Sequence, residues 1–202
     1  MEQRSQYYNE EIEIVKYGVW IDGHFTWLDS WSCQYTEDKI IYENNNMNLR
    51  ISLQVIYREK TILQEMTFRN LNSHPRQIKV FCNPLFSKKN DKKITFFAPI
   101  LQAMVHNVDG YYFLLNGRLK RRGIVQYCTN FDETDCLQNG KILMQPFSLR
   151  SSKSIYSLEG EMDAKEEIKV YFWQCSGSSK YEVMKKNLFI QLNLPYERAL
   201  ET

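Results

Sequence analysis

Few residues in this chain are of a type and spacing that supports chemistry. His24, His74 and His106 are the only histidines. None pairs with another at the i, i+4 spacing of one helix face, none falls in a Cys/His cluster, and no C-x-x-C is present. That pattern lacks the ligand spacing of a zinc site, so no metal and no other cofactor is expected. His24, beside Phe25, reads as a polar residue near a turn. The five cysteines (33, 82, 128, 136 and 175) are odd in number and scattered. A thiol nucleophile needs a base or cation beside it. Cys128 has no such neighbour in sequence and reads as a small strand residue. Between Cys128 and Cys136 lies an acidic run, Asp132-Glu133-Thr134-Asp135. Two carboxylates can cleave a glycosidic bond when they flank it at a fixed separation. Neighbours in one polar loop read instead as a solvated loop or a weak cation contact. No glycine-rich phosphate loop, nucleophile elbow or dinucleotide fingerprint occurs. No catalytic residue is assigned.

The aromatic residues are the remaining candidates. Trp20, Trp27 and Trp31 gather around one hairpin. A buried tryptophan fills the core, whereas an exposed one offers a flat apolar face on which a sugar ring stacks. Trp20 and Trp27 are expected in packing. Trp31 and Tyr127 are the candidate carbohydrate-binding residues.

The elements that would position these residues are strands. Met47, Leu49, Ile51, Leu53, Val55 and Tyr57 alternate with Asn48, Arg50, Ser52 and Gln54. Ile62, Met66 and Phe68 repeat the alternation, as do Ile78, Val80 and Cys82, then Ile168, Val170 and Phe172. Period two with a polar outer face is the pattern of antiparallel sheets. Asp22-Gly23, Asp109-Gly110, Asn116-Gly117 and Asn139-Gly140 supply tight turns. The predicted fold class is therefore all-β, a large antiparallel sandwich with one short C-terminal helix. Ser179-Lys-Tyr-Glu182 is a capping box. It opens a helix over about 179–190, with Tyr181, Met184 and Leu188 on one face, followed by a tail, 191–202.

Composition sets the outer limits. The 202 residues fit one domain, 1–202, and 43% are hydrophobic, enough for a sizeable core. The aromatic share, 14%, suits half-buried pleated surfaces. A net charge of +2 gives no general pull towards nucleic acid or anionic membrane. The basic clusters Lys88–Lys93 and Arg118–Arg122 read as solvated loops. The polar N-terminus lacks the apolar stretch of a signal peptide, and no apolar run reaches membrane-spanning length. The expectation is a cytoplasmic protein with reduced thiols.

Several blocks occur together in a fixed order. They are Gly18-Val-Trp-Ile-Asp-Gly-His-Phe-Thr-Trp-Leu-Asp29, Met66-Thr-Phe-Arg-Asn-Leu-Asn72 and Arg76-Gln-Ile-Lys-Val-Phe81. His106-Asn-Val-Asp-Gly-Tyr-Tyr-Phe-Leu-Leu-Asn-Gly117 follows, running on to Gly123-Ile-Val-Gln-Tyr-Cys128, then Val170-Tyr-Phe-Trp173 and Tyr181-Glu-Val183. From about Val15 to Gln191 the chain resembles the N-terminal β-sandwich domain of bacterial family 15 glycoside hydrolases, the glucoamylase and glucodextranase-like enzymes. The resemblance implies the same sandwich. In those enzymes the paired catalytic glutamates sit on an α-helical barrel that follows it, and no residue of this chain matches them. The sequence between Thr134 and Gly140 departs from the family's acidic, Trp-containing loop, and the family's earliest strands are not all represented. The expected function is a non-catalytic, stand-alone relative of a glycosidase accessory domain. It would act in protein interaction or scaffolding, as a homo-oligomer or with a protein partner. The alternative is an α-glucan binding module, and a glycoside hydrolase is a more distant one.

Overall fold

The computed structural model describes residues 12–86, 92–132, 137–151 and 153–195. The strands are β1 (Ile12–Ile21), β2 (His24–Trp27), β3 (Ser32–Tyr35), β4 (Ile40–Asn44), β5 (Leu49–Arg58), β6 (Thr61–Asn70) and β7 (Arg76–Phe86). They continue as β8 (Lys93–Ala98), β9 (Ala103–Val108), β10 (Tyr111–Leu119), β11 (Ile124–Cys128), β12 (Phe147–Leu149), β13 (Ile155–Met162) and β14 (Glu167–Gly177). One α-helix, α1 (Lys180–Asn193), follows the last strand. The strands form two antiparallel sheets. One has five strands in the order β11-β13-β7-β1-β2, the other nine in the order β12-β8-β9-β10-β14-β6-β5-β4-β3. The predicted sandwich is the observed one.

The main core lies between the sheets. Val19, Ile21, Ile78, Val80 and Leu158 from the smaller sheet meet Ile51, Met66, Phe68, Phe113, Val170 and Phe172 from the larger, all nearly or fully buried. Alternation puts these residues inward because successive side chains point to opposite faces. Each full burial stabilises by about 1.5–3 kcal/mol. Tyr57, the last of the β5 series, is instead 44% exposed, because there the inward row of β5 runs past the core.

Both sheets also carry apolar residues on their outer faces, which alternation alone hides. On the smaller sheet, Phe81, Cys128, Leu137, Ile142 and Ile155 form a second cluster, with Trp20, Phe25 and Trp27 packed against it. On the larger, Leu114, Tyr171, Trp173 and Cys175 form a third with Val183 and Leu194. The molecule is thus a sandwich with extra cover on each side: segment 137–142 on one sheet, α1 on the other.

Turn chemistry holds at most of the predicted positions. Asp22 and Gly23 have φ of 51° and 84°, and Asp109 and Gly110 have 51° and 86°. Both pairs fit the two-residue hairpin turn that needs positive φ twice. Asn116-Gly117 is not a turn. It lies inside β10, where a Cβ on Gly117 would come within 2.8 Å of Leu158 Cδ1 and 2.9 Å of the Tyr171 carbonyl oxygen. The glycine is there for close approach between layers. Lys93 also departs from the solvated loop expected of it: it opens β8 and is 5% exposed. Arg118 and Leu119 likewise belong to β10. Lys88–Asp91 lie outside the described residues.

Candidate functional site

The histidines separate by environment. His24 and His74 are exposed. His106 is 2% exposed, stacked on Phe86 with 4.1 Å between ring centroids. Its Nδ1 lies 3.0 Å from Thr95 Oγ1 and its Nε2 3.0 Å from Ser154 Oγ. A serine hydroxyl on an imidazole is the beginning of a nucleophile pair. Here Ser154 is fully buried, so no substrate reaches it. Burial, with the Lys93 charge nearby, pushes the His106 pKa down to about 3. The ring stays neutral and acts as a satisfied core group.

The buried thiols are likewise inert. Cys82 sits beside Tyr17 and Tyr156, and burial pushes its pKa up to about 12. Cys175 is pushed to about 12 by the same cause. Cys33 is exposed on β3. Cys136, Glu133 and Asp135 lie outside the described residues, and Asp132 is exposed. Among the described residues no group of three His, Cys, Asp or Glu side chains could hold a metal ion.

A polar network pins segment 137–142 to the smaller sheet. Lys79 Nζ donates to the Gly140 carbonyl at 2.8 Å and pairs with Glu159 at 3.4 Å. Gln126 Nε2 donates to the same carbonyl at 3.1 Å and also to Glu159, while its Oε1 accepts from the Ile142 N–H at 2.8 Å. Lys79 also stands 5.2 Å from the centroid of the Trp20 ring. Each member is occupied by another, so the network is a fastening.

The large open feature lies on the other face. Ile56 and Arg58 of β5, Leu63 and Glu65 of β6, and Tyr171 of β14 form one wall. Helix α1 forms the other, with Tyr181, Lys185, Phe189 and Asn193, and Leu194 and Pro195 close one end. The groove encloses about 1070 Å³. Its position is set by how α1 is seated. Ser179 Oγ accepts from the Glu182 N–H at 3.2 Å, and the Glu182 carboxylate accepts from the Ser178 N–H at 3.1 Å. The box closes one residue earlier than the simplest pattern. Lys186, at 2.9 Å, holds the Glu182 carboxyl below its ordinary pKa, helped by the Ser178 N–H and by Lys60. Deeper in, Asn187 Oδ1 accepts from Trp173 Nε1 at 2.9 Å and from Asn116 Nδ2 at 3.1 Å. Val183 and Leu194 are buried with it.

The shared face of Tyr181, Met184 and Leu188 is not the buried one, and Met184 is half-buried. Tyr181 is 76% exposed and Leu188 55%. The buried stripe is Val183, Asn187 and Leu194. Phe189 and Leu192 are exposed as well, so α1 presents an uncovered apolar crest beside an apolar groove.

No family model and no curated protein matches the sequence. The fold, however, resembles part of a bacterial glucoamylase. That structure, complexed with acarbose, superposes with a TM-score of 0.64 and 15% identity. The match covers 89% of this chain and 29% of the glucoamylase, so the chain spans under a third of that protein's length. A polysaccharide lyase superposes at a TM-score of 0.49 with 10% identity, covering 87% of this chain and 27% of its own. The glucoamylase match agrees, at the level of fold, with the family resemblance in the sequence.

The two aromatic candidates are not presented as expected. Trp31 is 7% exposed and joins the main core, its Nε1 donating to Thr26 Oγ1 at 3.2 Å. A ring enclosed in the core has no free face for a sugar. Tyr127 is half-buried in β11, and Phe97 stacks on it at 3.8 Å with planes 10° apart. Trp20 and Trp27 pack as expected, though on the outer face of the smaller sheet. Sequence reasoning missed the groove because its walls come from β5, β6, β14 and α1, distant in sequence. The available signal was that α1 carries apolar residues on more than one side, including Phe189 and Leu192. No helix among the described residues is long and apolar enough to cross a membrane.

Proposed function

We propose that the protein is a non-catalytic interaction module that docks a polypeptide in the groove between α1 and the nine-stranded sheet. One observation carries the reading: Tyr181, Leu188, Phe189 and Leu192 stand 55–76% exposed on one helix next to an apolar cleft. Contiguous apolar surface of this kind marks an interaction site, because leaving it in water costs about 25 cal/mol per Å². Of the groove's carboxylates, Glu65 and Glu182 are each engaged by a lysine, Lys169 at 2.6 Å and Lys186 at 2.9 Å, and Glu59 stands exposed in the turn between β5 and β6. Carboxylates held in ion pairs are poor general acids, which supports the non-catalytic reading. The likeness to a glucoamylase fold adds no reaction, since function resides in sites rather than folds.

The test is affinity capture with the tagged full chain and a Phe189→Asp variant from the native cell, read by mass spectrometry. Polypeptide retained by the wild type and lost with the variant is the expected result. Equal retention by both overturns the reading. Maltooligosaccharide titrations by calorimetry are expected to be flat. Saturable heat that Phe189→Asp abolishes would replace polypeptide docking with glucan binding.

A further inference from the structure

We infer that the occupant of the groove is a second copy of this chain, the two related by a twofold axis beside α1. The inference rests on the docking reading above and names its partner. A twofold interface is self-complementary: the same surface carries both the projecting part and the part that receives it. Here they are neighbours. The crest of α1, Leu188 and Leu192, projects beside the groove, and Tyr181 and Phe189 belong to both. Rotating one copy onto the other sets each crest into the opposite groove.

Charge supports the same pairing. Lys185 stands on the helical wall and Glu59 on the opposite wall, in the turn between β5 and β6. Both are exposed, and neither has an ion-pair or hydrogen-bond partner among the described residues. Of the other charges at the groove, Glu182 is paired with Lys60 and Lys186 and Glu65 with Lys169, while Arg58, next to Glu59, is exposed and makes no ion pair among the described residues. A helix lying in the groove touches both walls. The twofold therefore brings Lys185 of each copy towards Glu59 of the other, forming the pair twice. With 26 basic and 24 acidic residues, the two copies also carry no strong mutual repulsion.

The test is light scattering on the full chain at about 100 μM, a concentration that populates dimers of micromolar affinity. The expected mass is twice 24.2 kDa. Lys185→Glu and Glu59→Lys singly are expected to weaken the dimer about tenfold or more, and the double variant to restore it. Leu192→Asp is expected to give a monomer with unchanged circular dichroism, because Leu192 is 67% exposed and outside the seat of α1. A wild type that stays at 24.2 kDa overturns the inference. In that case capture lost with Phe189→Asp leaves the docking reading standing with another occupant, and capture unchanged by it sinks both. A dimer that survives Lys185→Glu and Leu192→Asp also overturns the inference, since its interface lies elsewhere.

Discussion

His106 shows how a residue that reads as chemistry becomes structure. Its hydroxyl partners, Thr95 and Ser154, come from different parts of the chain, and both ring nitrogens are engaged at 3.0 Å. Burial lowers its folded pKa to about 3 from 6.5. The unfolded chain therefore takes up a proton at a pH where the folded chain does not. Stability is full above pH 6.5 and falls as pH drops from there towards 3, by about 1.4 kcal/mol per unit. Between pH 7 and pH 5 the loss from this group is expected to be about 2 kcal/mol. His106→Gln keeps hydrogen-bonding groups and removes the titration. Urea titrations at the two pH values should show a smaller pH dependence for the variant; identical dependence would assign the acid sensitivity to other groups. In the sequence His106 was one of three equal histidines. Nothing local marks it, because its burial and its partners are long-range facts. The same holds for Trp31, whose neighbours in sequence are polar while its neighbours in space are the core. Residue identity thus limited the possible chemistry, and tertiary packing decided which of it survives.

Helix α1 shows what an element discloses by itself. Its start was legible because a cap is a local device: Ser179 and Glu182 serve backbone groups within the first turn. Removing that device should be measurable. Ser179→Ala is expected to cost about 1 kcal/mol, read as a lower urea midpoint at unchanged slope. No change would mean that Asn187 and Val183 alone fix the helix. The buried face was not legible, because α1 has apolar residues on more than one side. Tyr181, Met184 and Leu188 have correct helical spacing, yet Tyr181 and Leu188 face outward and Met184 is only half-buried. The seat is chosen by what the sheet offers, the Trp173 and Asn116 donors that Asn187 receives. A polar residue in the buried stripe is costly unless matched; Asn187 is matched at Oδ1, while its buried Nδ2 has no partner among the described residues, so the two bonds to Oδ1 are what tie the rotation of the helix to the sheet. Strands were legible for a related reason. Alternation marks one buried face, but β7 and β14 are buried on both, and their second faces needed the covering elements to be explained.

The path of the chain through the two sheets governs how the whole molecule behaves. β1 and β2 lie in the smaller sheet, β3 to β6 in the larger, β7 in the smaller, and β8 to β10 in the larger. The last four strands alternate, β11 and β13 in the smaller sheet, β12 and β14 in the larger. Neither sheet is a continuous stretch of sequence, so neither can form without fixing most of the other. β1 pairs with β7 across the whole of the intervening β2–β6 segment, a long loop to close before any contact repays it. The sheets are also joined in the core, where Gly117 of β10 lets Leu158 of β13 approach. Two consequences follow from this interleaving. Equilibrium unfolding should be one event, with far-UV circular dichroism and tryptophan fluorescence giving the same midpoint and slope. Tryptophan reports both sides, since Trp20 and Trp27 lie on the smaller sheet and Trp173 on the larger. Keeping only Trp20 or only Trp173 as the reporter should give superimposable curves. Two separated transitions would mean that the sheets are independent units, and that the shared core contributes less than its composition implies. A coincident transition would instead mean that α1 and its groove stand on a platform that does not yield piecemeal, so binding there alters stability throughout the molecule by mass action.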